Sequence, residues 1–308
     1  MKHLLSMNDV KEKEIKELIK KAREIKKNPK KYQKKVFEKV LFTFFAAPSL
    51  RTELSFDSAM FQMGGEVIDY HAETSPWSKG KESIEDVARV VSRYCDIMMI
   101  RMYDHKAIEI IAKNASIPVI NGLSDVEHPC QALSDLMTMQ EVCGKKKGLK
   151  VAYLGDSRNN VTHSLMLGCA MSGINIVIGC PKEKKFSPMT QVLAQARKYA
   201  KKNKSKVVVI HDPEKAVKDA DVVYTDSWMS YNINPAEKSS RMKALKRYQV
   251  NKELMKHAKK SAVFMHCLPA VRGMEVTKDV IDGKQSVVFD QAENRLHMQK
   301  ALILKLLN

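Results

Sequence analysis

Cysteine is sparse and unpatterned: Cys95, Cys130, Cys143, Cys169, Cys180 and Cys267 form no CxxC pair and no framework spacing. A small disulfide-stapled scaffold is thereby excluded, and the scattered thiols fit a reducing, cytoplasmic setting. Long apolar runs are also missing. No stretch reaches the roughly 18 to 20 apolar residues of a membrane span, and the lysine-rich first 35 residues hold no apolar core of signal-peptide length. The expectation is a cytoplasmic chain with no membrane partner. Acidic residues are outnumbered, Asp+Glu 35 against Lys+Arg 53, for a formal net charge of +18. That excess suits a nucleic acid, an anionic surface or a small anionic substrate, and its sign alone does not choose among them. With 44% hydrophobic and 29% charged residues, neither a disordered nor a fibrous chain is indicated.

What is present is alternation. Ile15, Leu18, Ile19, Ala22 and Ile25 recur at helical spacing before Asn28-Pro29, so the chain opens with an amphipathic helix whose lysines read as a solvated face. The run 39–45, KVLFTFF, is short, apolar and aromatic, as a buried strand would be. A helix over 51–63 follows, closed by Gly64-Gly65. Further strands are predicted at 66–70, 97–102 and 118–121, with helices at 84–94, 106–112 and 131–142. The segment 144–148, Gly-Lys-Lys-Lys-Gly, is the best candidate boundary. A second series then runs through strands at 150–156, 174–180, 206–212, 221–226 and 262–269, with helices at 161–171, 190–202 and 214–219 and a last helix at 293–307. Strands separated by single helices predict an α/β fold: two similar-sized domains, each a parallel sheet flanked by helices. The 308 residues match two domains of about 150 each.

In open parallel sheets ligands collect at the carboxyl ends of strands. After the first strand comes Pro48-Ser49-Leu50-Arg51-Thr52, a turn opening a helix, where free amides and the helix dipole favour an anion. A plain serine cap with a surface arginine is the other reading of this segment. Arg101 stands at the mouth of IMMIR, and His128-Pro129-Cys130-Gln131 at another helix start. No HExxH or paired Cys/His spacing accompanies the histidine, so no metal is expected. KVAYLGD leads into Ser157-Arg158-Asn159-Asn160 without the glycines of a dinucleotide fingerprint. Asp226 to Tyr231 follows DVVYT, His266-Cys267-Leu268-Pro269 follows AVFM, and Ala292-Glu293-Asn294-Arg295 opens the last helix. Collected, these residues make an anion cradle facing a polar, amino-acid-like subsite.

The four segments Pro48 to Thr52, His128 to Gln131, His266 to Pro269 and Ala292 to Arg295, in that order and spacing, resemble the aspartate/ornithine carbamoyltransferase family, from about residue 40 onward. HCLP, with Asp226 and Ser230 four residues on, resembles the ornithine branch. The resemblance implies a carbamoyl-phosphate domain over 1–140, with 290–308 returning to it, and an ornithine domain over 141–290. It also implies a homotrimer or a multiple of trimers, no cofactor and no nucleic-acid partner. By motif, Ser49, Leu50, Arg51 and Thr52 would hold the phosphate. Arg101, His128 and Gln131 would hold the carbamoyl end, and Arg295 would add a cation. Cys267 and Leu268 would offer main-chain carbonyls. Asn160, Asp226, Ser230 and Tyr231 would bind ornithine. Arg101, His128, Asp226 and Cys267 are the catalytic candidates implied by this match.

Three departures bear on the substrate. Leu50 replaces a family threonine, although its backbone N–H survives. Trp77 stands in the loop that in relatives often supplies a glutamine from the adjacent subunit to carbamoyl phosphate. Ser230-Tyr231-Asn232 replaces Ser-Met-Gly. An indole donates one hydrogen bond and accepts none, so the Trp77 contact differs in kind. Ornithine carbamoylation to citrulline is therefore the first expectation. Carbamoylation of putrescine, lysine or an acylated ornithine is the alternative, and a catalytically silent binding paralogue the remote one.

Overall fold

The computed structural model describes all residues except 75–76, 78–79, 145–147 and 231–232. Three of the residues expected to form a boundary, 145–147, and Tyr231, expected to bind ornithine, therefore lie outside the described residues. The chain divides into two compact units. The first is Met1–Met137 with Glu293–Asn308, and the second is Thr138–Ala292.

In the first unit the strands are β1 (Val40–Phe45), β2 (Glu66–His71), β3 (Ile97–Arg101) and β4 (Val119–Leu123). They form one parallel sheet in the order β2-β1-β3-β4. Its helices are α1 (Glu12–Lys27), α2 (Leu50–Met63), α3 (Ile84–Tyr94) and α4 (His105–Asn114), with α5 (Pro129–Val142) following β4. The stripe Ile15, Leu18, Ile19, Ala22 and Ile25 on α1 is buried throughout, as its spacing predicts. Each of the four leucine and isoleucine side chains gains about 1.5 to 3 kcal/mol on leaving water. Phe42 and Phe44 of β1 pack with Met98, Ile100, Ile108 and Ile111 in the core of this unit. Helix α2 starts at the Ser49 cap, whose hydroxyl accepts the Thr52 N–H at 3.2 Å, and stops at Gly64. Gly64 has φ 85°, and a Cβ there would sit 2.7 Å from the Gln33 carbonyl oxygen, so only glycine fits.

The second unit holds β5 (Lys150–Leu154), α6 (Asn160–Met171), β6 (Asn175–Gly179), α7 (Thr190–Lys202), β7 (Val207–Ile210), α8 (Pro213–Val217) and β8 (Val222–Thr225). Then come α9 (Lys238–Leu245), α10 (Lys252–Met255), β9 (Val263–Met265), α11 (Lys278–Ile281) and α12 (Val288–Leu307). Its parallel sheet runs β7-β6-β5-β8-β9. The α/β reading, with two parallel sheets flanked by helices and a last helix whose residues from Glu293 belong to the first unit, is the observed fold. Two local differences matter. The strand expected over 262–269 ends at Met265, because the His266 N–H is taken by the Gln291 side chain at 2.9 Å and Leu268 turns left-handed. Helix α9 is an addition to the predicted elements. Among the described residues no helix is long and apolar enough to cross a membrane.

Candidate active site

Each sheet has one place where the strand order reverses direction, and ligand crevices form there at the strands' carboxyl ends. In the first unit that place lies between β1 and β3. β1 delivers the Ser49 cap and the first turn of α2, while β3 ends on Arg101. The Arg101 guanidinium is buried and fixed by carbonyls: Nε donates to the Ala47 oxygen at 3.1 Å, and Nη2 to that of Pro48 at 3.5 Å. Arg295, from α12, donates to Gln131 Oε1 at 3.1 Å and to Thr52 Oγ1 at 3.1 Å, and lies 3.5 Å from His128 Nε2. Thr52 Oγ1 also accepts from Arg101 at 3.5 Å and from Ser49 Oγ at 3.0 Å. One hydroxyl thus gathers two guanidiniums and the helix cap. In each of these contacts the guanidinium meets an uncharged group.

Burial first, then the charges of Arg295, Arg101 and Arg51, hold the His128 pKa well below its ordinary 6.5. The imidazole is therefore a neutral dipole rather than a further cation at neutral pH. Its neighbour Cys130 is inert by contrast, its thiol pushed up to about 12 by burial. A stability consequence follows from His128. Unfolded, the imidazole binds its proton near pH 6.5; folded, it does not, so the unfolded state gains the extra proton as pH falls through that value. Stability is then lost on acidification, by up to about 1.4 kcal/mol per pH unit for this group. Replacing His128 with asparagine is expected to flatten the acid limb of the Tm-against-pH curve between about pH 6.5 and 5. An acid limb identical to the parent's would refute the assignment.

In the second unit the reversal lies between β5 and β8. β5 leads through Gly155-Asp156 to Asn159, which caps α6 by accepting the Thr162 N–H at 2.8 Å, and to the half-buried Asn160. Gly155 has φ 111°, and a Cβ there would meet the Trp228 indole nitrogen at 2.8 Å. β8 ends at Thr225, one residue before the buried Asp226, and the Cys267 thiol donates to Asp226 Oδ1 at 3.1 Å. Cys267 is half-buried, whereas the other five cysteines are buried. Asp226, His266 and Cys267 place ligand-type atoms within 4.8 Å of one another. Two of those donors are already engaged: the thiol with the carboxylate, and His266 Nδ1 with the Leu268 N–H at 2.9 Å. Leu268 has φ 58°, which costs a non-glycine residue about 1 to 2 kcal/mol.

Sequence-predicted residues are thus brought together in two groups. Ser49, Thr52, Arg101, His128, Gln131 and Arg295 converge in the first unit, and Asp226 and Cys267 meet in the second. Leu50 and Arg51 open α2, with the Leu50 side chain exposed. Trp77 packs edge-on against Phe44, ring centroids 5.7 Å apart. Ser230 is half-buried, and its carbonyl accepts the Ile233 N–H at 2.9 Å. Asp156, Arg241, Glu275 and Gln291 carried no role in the sequence reading. Asp156 is buried and ion-paired with Arg241, whose Nε donates to the Trp228 carbonyl at 2.9 Å and whose guanidinium lies 5.2 Å over the Phe186 ring. Burial pushes the Asp156 carboxyl up, against the opposing pull of Arg241. The signal for Asp156 was its place at a strand end. Arg241 had none, lying 85 residues away.

Comparison with known proteins gives these two groups a context. Residues 2–141 match the aspartate/ornithine carbamoyltransferase carbamoyl-P binding domain, and residues 147–306 match the Asp/Orn binding domain of the same family. The chain is 51% identical over 269 residues to the ornithine carbamoyltransferase of Pyrococcus abyssi, covering 87% of this chain and 83% of that one. It is 46% identical over 306 residues to that of Bacillus subtilis, covering 99% and 94%. The solved structure of the Pyrococcus furiosus ornithine carbamoyltransferase superposes with a TM-score of 0.93 at 47% identity, over 98% of this chain and 96% of that chain. This chain belongs to the aspartate/ornithine carbamoyltransferase family.

Proposed function

We propose that the chain transfers the carbamoyl group of carbamoyl phosphate to the δ-amine of L-ornithine, giving L-citrulline and phosphate as a cytoplasmic step of arginine metabolism. The observation that carries this reading is the convergence of Thr52, Arg101, Arg295, His128 and Gln131 at the β1–β3 reversal. Residues 1–140 with 290–308 are the carbamoyl-phosphate part in this reading, and 141–290 the ornithine part. The two matched domain models support that division, and the names of the curated relatives support ornithine over other amines.

Ser49, Leu50, Arg51 and Thr52 bind the phosphate through amides of the helix start, two hydroxyls and a guanidinium. Trp77 stands in the loop assigned to the same substrate. Arg101 and His128 donate to the carbamoyl oxygen and Gln131 to the carbamoyl end, with Arg295 as a further cation. The main-chain carbonyls of Cys267 and Leu268 are acceptors for an NH2 group. Asn160, Asp226, Ser230 and Tyr231 hold the amino acid. A free amine attacks the carbamoyl carbon, a C–N bond forms, the bond to the phosphate oxygen breaks, and phosphate leaves. Negative charge develops on the carbonyl oxygen and then on the phosphate, where fixed donors stabilise it. The δ-amine has an ordinary pKa of roughly 10, so it must shed a proton, for which the Asp226 carboxylate and the Cys267 thiol are the groups at hand.

The deciding assay supplies carbamoyl phosphate with ornithine, lysine, putrescine, N-acetylornithine or aspartate and identifies products by mass. Citrulline as the dominant product supports the reading, and preference for another amine overturns it. We further propose a homotrimer, or a multiple of it. Leu50, Leu54 and Phe61 lie on one face of α2 and are 68%, 56% and 62% exposed, with Ile68 of the edge strand β2 at 48%. Such a surface calls for a second copy of the chain. Phe61→Lys is expected to shift the protein from three chains toward one in sedimentation equilibrium, and an unchanged mass would remove α2 from the interface.

A further inference from the structure

We propose that the buried Gln299 is a positioning residue for Arg295, one that holds the guanidinium in place without neutralising it; its effect on turnover rests on the reading of Arg295 as a cation for carbamoyl phosphate. Gln299 lies on α12 one turn beyond Arg295, so the two side chains share a face, as Thr52 and Ser55 do on α2. Gln299 is fully buried, and Ser55 sets the direction of its amide. The Ser55 hydroxyl donates to the Arg51 carbonyl at 2.5 Å and to that of Thr52 at 3.2 Å, which leaves its oxygen to accept. The Gln299 amide nitrogen donates to that oxygen at 2.7 Å and to the Ser55 carbonyl at 3.1 Å. The amide oxygen is thereby turned to Arg295, accepting from Nη2 at 3.3 Å. One carboxamide joins the first turns of α2, behind Arg51, to the second arginine of the same cluster.

The choice of a carboxamide is the informative point. Gln131, Thr52 and Gln299 accept from Arg295 and the neutral His128 lies beside it, so these four partners are all uncharged. A carboxylate in the place of Gln299 would grip the guanidinium as firmly, but it would also pair off the charge that an anionic substrate needs. Docking of the two helices does not depend on Gln299. The next residue, Lys300, is only 2% exposed and donates to Gln62 Oε1 at 2.5 Å, tying α12 to α2 further along the same pair. The Gln299 contacts therefore serve the guanidinium, and the Lys300 contact serves the packing.

The test uses three substitutions in the full chain. Gln299→Met keeps the length of the side chain and removes both amide contacts. Gln299→Glu keeps an acceptor for Arg295 and adds a charge. Lys300→Met removes the Gln62 contact and leaves Arg295 untouched. In either Gln299 variant KM for carbamoyl phosphate is expected to rise on the order of 10-fold, with KM for ornithine within about threefold of the parent. Lys300→Met is expected to lower Tm and leave both KM values within about threefold. Arg295 itself is followed by phenylglyoxal modification without substrate, read by peptide mass. Modification is expected to run several-fold faster in Gln299→Met and slower in Gln299→Glu, so that in the latter a tighter grip accompanies weaker substrate binding, a split that a merely structural role does not produce. Parental labelling and parental KM for carbamoyl phosphate in the folded Gln299 variants overturn the proposal, as does an equal rise of that KM in Lys300→Met. If one Gln299 variant fails to fold, the other decides. The labelling uses no substrate, so it still separates the variants if the parent proves to form no carbamoyl product, and the two readings fail separately.

Discussion

Arg101→Ala is expected to lower kcat for citrulline formation on the order of 10²- to 10³-fold, the loss typical of removing one preorganised donor from a developing oxyanion. The size follows from how the residue is held. Its guanidinium is already desolvated and locked by the Ala47 and Pro48 carbonyls and Thr52 Oγ1, so no reorganisation is needed when charge appears on the carbamoyl oxygen. Arg101→Lys keeps the charge but not the fork; it cannot serve those partners and a substrate at once, and an intermediate loss is expected. The buried Ala47 carbonyl loses its donor in the alanine variant, at a stability cost of about 1 to 3 kcal/mol. Tm is therefore measured alongside turnover, and rates are compared well below it. Turnover within threefold of the parent in the folded alanine variant would remove Arg101 from the chemistry.

Asp226→Asn is expected to cost kcat/KM for ornithine about 10²- to 10⁴-fold, the range of a lost general base, with KM for carbamoyl phosphate unchanged. The side chain keeps its shape, so the buried site at the end of β8 is not emptied. What is lost is the carboxylate that accepts the Cys267 thiol proton at 3.1 Å and that would take the proton of the incoming amine. Because the amine's ordinary pKa is roughly 10, raising the pH supplies the free amine directly. The variant should therefore regain activity at alkaline pH more steeply than the parent does. A variant with parental kcat/KM, or a loss that is the same at every pH, would argue against proton transfer to Asp226.

Legibility differed between the two groups. Ser49 announced itself by standing between an aromatic strand and a helix, and Arg101 by ending the apolar run IMMIR; both signals are local, and the structure uses both positions. His128 and Gln131 stand at a helix start after a strand, a weak signal alone; their roles are legible only through the resemblance of the His128 to Gln131 segment to the family motif. The Asp156–Arg241 pair was not legible, because a pair buried by tertiary packing leaves no periodicity in either segment. Helix α9 escaped because KSSRMKAL offers only Met242, Ala244 and Leu245 as apolar residues, too few for a stripe. The strand over 262–269 was read too long because its apolar character runs past the point where side chains, not a neighbouring strand, take over the backbone hydrogen bonds.

The first unit is discontinuous: its closing stretch, Glu293–Asn308, is separated from the rest by all of Thr138–Ala292. During synthesis the order of completion is therefore reversed with respect to the order of the chain. Residues 138–292 have their full complement of sequence while the first unit still lacks Arg295, the side chain that joins Thr52, Gln131 and His128. The cluster of Thr52, His128, Gln131 and Arg295 is completed only after the whole of the second unit has been made. A nascent chain stopped before Arg295 carries the strand ends and the α2 start, but not the cation that ties them together.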